Sequence, residues 1–177
     1  MEKKCIGRKE DFAIEYAFVD EDKHTELSMF VEGKNILVHR KDNMESTVCW
    51  NLDELVKWLK YFVDNMRVDP YPVDVKGEFA AQKDENARDV EIDELDKYYD
   101  KLDAWCIRHR WHTASAGGTL PDVYFQLVDE KVEISWNNKV LEDNVEYTNV
   151  LGGASIDKKV FIDVVGEFIS EYESKWS

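Results

Sequence analysis

Two stretches of the chain share the same order of hydrophobic patterns, and this repetition constrains the fold more than any other feature. Residues 25–66 contain a predicted hairpin of alternating apolar runs over 25–32 and 35–40, a short run over 46–50 and a helical pattern over 52–66. Residues 121–176 contain a predicted hairpin over 123–128 and 131–136, a further strand-like run and a helical pattern over 157–176. Alternation at period two is typical of strands, and spacing of three to four residues is typical of helices. The repetition predicts an α+β fold with one or more antiparallel sheets and helices on one face, built from a duplicated β-β-β-α unit.

The segment that joins the two stretches, residues 67–120, contains irregular and helical patterns. Two prolines and a glycine within residues 70–77, followed by a polar stretch over 82–89, predict an irregular crossing segment over residues 67–90. Apolar residues then recur at helical spacing over residues 91–106, so a central helix is expected to connect the two units. We therefore predict a single domain over residues 1–177, with the two repeated stretches as its internal halves.

Acidic residues outnumber basic residues by a wide margin. The chain has 38 Asp and Glu against 23 Lys and Arg, which gives a formal net charge of -15 at pH 7. A negative surface repels nucleic-acid phosphates, so direct binding of nucleic acid is not expected. The same surface attracts a basic protein, such as a toxin, a nuclease or a nucleic-acid-binding complex. The competing interpretation is that the charge serves only to keep the protein in solution.

The cysteines and the apolar runs predict the compartment. Cys5, Cys49 and Cys106 are isolated from one another and show no Cys/His ligand spacing. Neither a disulfide framework nor a structural zinc site is therefore predicted, and a reducing environment is expected. The first residues lack an apolar signal-like run, and no stretch approaches the roughly 18 apolar residues of a membrane span. These patterns predict a cytoplasmic protein that does not enter the membrane.

A run of basic and aromatic residues lies at the end of the predicted central helix. Guanidinium and imidazole groups this close together suit a carboxylate, a phosphate or a protein partner. A glycine pair just beyond them would let backbone N–H groups turn toward the same anion. The competing interpretation is structural, because basic residues complement the dipole at a helix C-terminus and glycines end helices. The residues concerned are Arg108, His109, Arg110, Trp111, His112, Gly117 and Gly118.

A catalytic role for this run would need a group that transfers protons. His109 or His112, oriented by Asp122, is the combination that the sequence offers. The chain contains no GxSxG elbow, HExxH pair, P-loop or GxGxxG loop. No metal and no cofactor is therefore predicted. An enzyme or ligand sensor that binds a phosphate or nucleotide at residues 108–112 is the alternative to a protein-binding role.

Two further features predict contact with a partner. Trp58 falls outside the apolar stripe of its predicted helix, and an exposed tryptophan is frequently an interface hot spot. Core packing is the more common use of tryptophan. Acidic residues also cluster at the start of the central helix, at Glu91, Asp93, Glu94 and Asp96. Such charges usually form a solvated face, but a basic partner would bind there.

Several of these motifs occur together in a known arrangement. They are Trp-Asn-Leu-x-x-Leu at residues 50–55, Pro-Tyr-Pro at 70–72, and a Trp…Arg-His…Gly-Gly-x-Leu-Pro-x-Val…Val-Glu-Ile-Ser-Trp series that ends at Trp136. Over residues 25–136 the chain resembles a bacterial domain of unassigned activity, which occurs alone or beside predicted peptidases in mobile-element and defence neighbourhoods. The resemblance implies a role in biological conflict. It implies no peptidase activity, because this chain lacks a peptidase zinc motif.

Charge, tryptophan placement and the resemblance lead to one leading hypothesis. The chain is predicted to be an acidic protein-binding module, either an inhibitor of the immunity type or a defence accessory protein. It would act by covering the surface of a basic partner, which requires no catalytic group of its own.

Overall fold

The computed structural model describes residues 2–88, 95–111, 121–139 and 145–176. Within these ranges the chain forms antiparallel sheets and helices, and the predicted α+β class is confirmed. The strands are β1 (Lys4–Arg8), β2 (Phe12–Phe18), β3 (His24–Val31), β4 (Lys34–Asn35), β5 (His39–Lys41), β6 (Met44–Ser46), β7 (Val48–Asn51), β8 (Asp122–Val128), β9 (Lys131–Asn137), β10 (Val145–Tyr147) and β11 (Leu151–Asp157). The helices are α1 (Asp53–Asp64), α2 (Ala80–Ala87), α3 (Leu95–His109) and α4 (Lys158–Trp176).

Two sheets carry the repeated plan. In the first sheet β2 pairs with β3, and β3 pairs with β7 just before α1. In the second sheet β8 pairs with β9, and β9 pairs with β11 just before α4. The second strand of each unit is therefore central, and each unit ends in a helix. The small third sheet joins the units, because β5 of the first unit pairs with β10 of the second.

The first unit begins earlier in the chain than the predicted hairpin. The partner of β3 over residues 25–31 is β2, which begins at Phe12. The strand predicted over residues 35–40 pairs with β3 only at Lys34 and Asn35. Next in the chain, Ile36 and Leu37 are both fully buried. The N–H of Ile36 still donates to the carbonyl of Met29 on β3 at 2.9 Å, but Ile36 and Leu37 both pack in the main core. A regular strand sends adjacent side chains to opposite faces, so the strand geometry is lost at this point.

The helices occupy both faces of the second sheet. Alternate side chains of β8, beginning with Val123 and Phe125, pack in the main core with residues of α1 and α4. The intervening Tyr124 packs in a smaller core with residues of α2 and α3. The sequence predicts helices on one face of the sheet, and α1 and α4 lie on one face. The additional layer of α2 and α3 covers the opposite face of the β8-β9-β11 sheet.

Helix α2 lies where the sequence predicts an irregular segment, and that prediction is wrong for residues 80–87. Its buried residues are Ala80, Ala81, Asp84 and Ala87, so it lacks the large apolar stripe by which a helix is recognised. Its first turn is held by strand β9 instead. There Glu133 accepts a hydrogen bond from the N–H of Ala80 at 2.8 Å, and Ser135 accepts one from the N–H of Ala81 at 3.1 Å.

None of the helices in the described ranges combines the length and the apolar character needed to span a membrane.

Candidate functional site

The predicted basic run lies where α3 meets the edge of β8. Arg108 and His109 form the last turn of α3. Arg110 then makes a bridge to Tyr124 of β8, and the N–H of Trp111 donates to the carbonyl of Val123 at 3.0 Å. The described residues of the run, 108–111, are therefore anchored to the sheet.

His109 is buried in the layer between α3 and β8. Its Nδ1 lies 2.9 Å from the carbonyl oxygen of Phe125, and its Nε2 lies 3.0 Å from Oδ2 of Asp69. The imidazole stacks on Trp105 with ring centroids 4.3 Å apart. Both ring nitrogens are therefore engaged by oxygen atoms inside the protein. Neither nitrogen is left to take part in proton transfer.

Asp69 binds the other members of this cluster, and no sequence pattern predicts its role. Its Oδ2 lies 2.8 Å from both Nε and Nη2 of Arg108, in addition to the contact with His109. Its backbone carbonyl accepts hydrogen bonds from the indole N–H of Trp105 at 3.1 Å and from the amide of Gln126 at 3.2 Å. Partial burial alone would raise the pKa of Asp69, but hydrogen bonds from His109 and Arg108 lower it below the ordinary value.

Asp69, rather than Asp122, orients His109. The carboxylate of Asp122 lies 3.6 Å from Nη1 of Arg110, whose guanidinium also lies 6.0 Å from the ring of Tyr124. Burial would lower the pKa of Arg110, yet the charge of Asp122 raises it, so this arginine stays cationic. The enzymatic alternative remains a prediction, because its second histidine, His112, lies outside the described residues.

The other predicted contact residues differ in their access to solvent. Trp111 is fully buried and donates its indole N–H to the carbonyl of Pro121 at 2.6 Å. Trp58 is partly buried, stacks on Phe62 and donates its indole N–H to the carbonyl of Ile107 at 3.2 Å. The remaining predicted contact residues lie outside the described part of the chain. They are Glu91, Asp93, Glu94, His112, Gly117 and Gly118.

Asp96, the last member of the predicted acidic cluster, lies on an exposed stripe along α3. Asp96, Asp100 and Asp103 are exposed, and Ile107 follows them at helical spacing. None of the three aspartates has an ion-pair partner among the residues that the structure describes. Tyr99, beside the stripe, retains 38% of its exposed area and Ile107 retains 62%. The stripe thus presents carboxylates together with exposed apolar groups.

A cavity of about 210 Å³ opens between the C-terminal ends of α1 and α3. Its lining includes the buried side chains of Phe62 and His109, together with Tyr61, Met66, Arg67 and Arg108. No sequence pattern predicts this cavity, because its lining residues come from two distant segments of the chain, 61–69 and 108–109.

Three potential metal ligands among the described residues lie close together where the β2–β3 turn enters β3. One ligand atom each from Asp20, Asp22 and His24 lies within 4.8 Å of the others. The carboxylate of Asp20 already contacts Nδ1 of His24 at 2.8 Å and accepts from the N–H of Asp22 at 3.0 Å. These bonds close the turn, in which Lys23 has a φ of 65°.

Comparison with known proteins finds a likeness among solved structures. No protein-family model and no curated protein matches the chain. Among solved structures, the crystal structure of CdiI from Burkholderia dolosa aligns with 95% of this chain and 99% of its own, at 14% identity and a TM-score of 0.49. At this identity and TM-score the likeness assigns no function to the chain.

Proposed function

We propose that the chain is an acidic protein-binding module, an inhibitor of the immunity type or a defence accessory protein, that binds a basic protein partner. The observation that carries this proposal is the exposed stripe of α3. Its three aspartates, Asp96, Asp100 and Asp103, lack ion-pair partners among the described residues. A net charge of -15 extends the same negative potential over the molecule.

The stripe also has the apolar component that stable association requires. Charge alone steers an encounter and raises the association rate, whereas buried aromatic and aliphatic groups supply most of the affinity. Tyr99 and Ile107 are exposed on α3, and Trp58 of α1 bonds to the carbonyl of Ile107. Aspartates for steering and apolar side chains for anchoring are therefore close to each other on one helix surface.

The internal contacts of Arg108 and His109 support a binding role rather than a catalytic one. The two ring nitrogens of His109 and the side-on edge of Arg108 are occupied by Asp69 and backbone carbonyls. An inhibitor that covers its partner needs no free acid or base. The resemblance over residues 25–136 to a domain of mobile-element and defence neighbourhoods supports a partner of the toxin or nuclease class.

The proposal is tested by co-expression with the product of the adjacent gene. We expect the two proteins to elute as one complex in size-exclusion chromatography at low salt. Moderate salt should weaken the complex, since screening reduces the attraction between exposed charges. Separate elution at every salt concentration would contradict the proposal.

Matched charge variants test the role of α3. The triple variant Asp96→Asn, Asp100→Asn, Asp103→Asn raises the net charge by three, as does a control with Glu21→Gln, Asp42→Asn, Glu45→Gln. All six residues are exposed and lack ion-pair partners among the described residues. We expect the α3 variant to slow association much more than the control in stopped-flow measurements. Equal rates for the two would show that α3 is not the binding surface.

A further inference from the structure

The guanidinium of Arg108 is only partly used by its internal contacts. Arginine has five N–H donors in a planar fork. Nε and Nη2 face Asp69 on one edge, and Nη1 donates to the carbonyl of Ala104 at 2.6 Å. The remaining N–H groups, one on Nη1 and one on Nη2, form the end-on edge of the fork. This edge has no partner among the described residues, and the side chain is 33% exposed.

Arg67 adds a second cation to the same cavity. A parallel bridge between Val68 and Leu127 holds this segment beside β8. Side chains alternate along an extended segment, so Arg67 and Asp69 lie on one side of it, and both line the cavity. Arg67 is exposed and has no ion-pair partner among the described residues. The guanidinium of Arg67 and the free edge of Arg108 therefore line one cavity, together with the Asp69 carboxylate, whose Oδ2 is bound by Arg108 and His109.

The remaining walls are suited to a short apolar stem. Tyr61, Phe62 and Met66 line the cavity from the end of α1. The carbonyl of Tyr61 already accepts from the side-chain amide of Asn65 at 2.8 Å, so it does not offer a free acceptor that would repel an anion. The volume of about 210 Å³ is sufficient for one side chain or one small organic acid.

From these contacts we propose that the cavity between the ends of α1 and α3 binds a carboxylate group carried on a short apolar stem. The end-on edge of Arg108 is the planar, two-donor arrangement that carboxylates accept in a bidentate manner. Arg67 supplies the second positive charge, and the aromatic and thioether walls contact the stem. The proposal goes beyond binding of a basic partner and does not depend on it.

Binding is measured by NMR, on the side-chain Nε–H signal of Arg108 and the indole N–H signal of Trp58, at constant ionic strength. The probes are N-acetyl-glutamate N-methylamide, succinate and inorganic phosphate, with N-acetyl-glutamine N-methylamide as the uncharged match. We expect saturable shifts with both carboxylates and none with the glutamine derivative. Tighter binding of the glutamate derivative would indicate a side chain of a protein as the source, and tighter binding of succinate would indicate a free acid.

Two arginine variants make the test specific for the cavity. Arg67→Gln should weaken carboxylate binding about tenfold, which corresponds to about 1.4 kcal/mol. Arg40→Gln removes the same charge at an exposed position of strand β5 and should leave the affinity unchanged. The proposal is overturned by the absence of saturable shifts with both carboxylates, by equal effects of the two variants, or by tighter binding of phosphate than of either carboxylate.

Discussion

Oδ2 of Asp69 lies 3.0 Å from Nε2 of His109, although the two residues are 40 positions apart in the chain. The contact holds the 67–69 segment against α3, while the other ring nitrogen of His109 binds β8 through the carbonyl of Phe125. A buried imidazole therefore links three parts of the fold. The neighbouring Arg108 binds the same carboxylate and lines the proposed carboxylate cavity.

Replacement of Asp69 is expected to destabilise the fold. Asp69→Asn removes the negative charge that faces His109 and Arg108, and leaves buried or half-buried donors poorly paired. We expect the free energy of unfolding to fall by about 2 kcal/mol in urea denaturation, the range found for hydrogen bonds to charged groups. Asp74→Asn, at an exposed position in the same segment, should change it by less than about 0.5 kcal/mol. Equal effects would show that the contact has no net stabilising value.

The effect of Asp69 should depend on pH in a defined direction. Its pKa is lower in the folded protein than the ordinary value of about 3.9, because His109 and Arg108 favour the ionised form. The stability that it contributes is therefore fully present above the unfolded-state value. It is lost as the pH falls below about 4 and through the folded-state pKa. The difference in unfolding free energy between the native protein and Asp69→Asn, measured from pH 7 to pH 3, should shrink over that interval. A constant difference would contradict this assignment.

Two substitutions of Glu133, which binds the first turn of α2, separate the effect of its charge on stability from the effect of its hydrogen bond. Burial raises the pKa of Glu133, even though the bond from Ala80 favours its ionised form. A raised pKa means that the ionised carboxylate costs stability as the pH rises above its ordinary value. Glu133→Gln retains an acceptor without the charge, so at pH 7 its stability should be equal to or greater than that of the native protein. Glu133→Ala leaves the N–H of Ala80 unsatisfied and should cost about 1–3 kcal/mol.

Hydrogen exchange gives the local measurement for the same pair of variants. The amides of Ala80 and Ala81 begin α2 and bond to Glu133 and Ser135. Exchange at Ala80 should accelerate in Glu133→Ala and stay close to native in Glu133→Gln. Unchanged protection in Glu133→Ala would mean that α2 is held by its alanine packing alone.

Two glycines should respond in opposite directions to alanine. At Gly153 on β11, an added Cβ would lie 2.4 Å from Cγ of Phe79, so the ring that precedes α2 must move. We expect Gly153→Ala to destabilise by at least about 1 kcal/mol, in the range of overpacked cores. At Gly166 on α4, no atom lies within 4 Å of the added Cβ, and alanine should stabilise by about 0.5–1 kcal/mol through helix propensity. Thermal unfolding of the two variants measures both changes, and a lower melting temperature for Gly166→Ala would refute the second.

The elements that could be predicted from the sequence are those with a local signal. Helices α1 and α4 follow from apolar residues at helical spacing, and the β8–β9 hairpin follows from two alternating runs around a turn. The predicted helix over 52–66 is observed as Asp53–Asp64, and the one over 157–176 as Lys158–Trp176. The duplicated order of strands and helix is visible for the same reason.

Only the tertiary structure decided which side chains meet. The sequence predicts that Trp111 contacts a partner, but its backbone N–H donates to Val123 of β8 and its indole is buried. Helix α2 has no recognisable start of its own, because Glu133, 53 positions later, accepts the N–H of Ala80. Asp69 has no local pattern that pairs it with His109. Hydrophobic periodicity reports which face of an element is buried, whereas the partner of a buried polar group depends on which distant segments pack together.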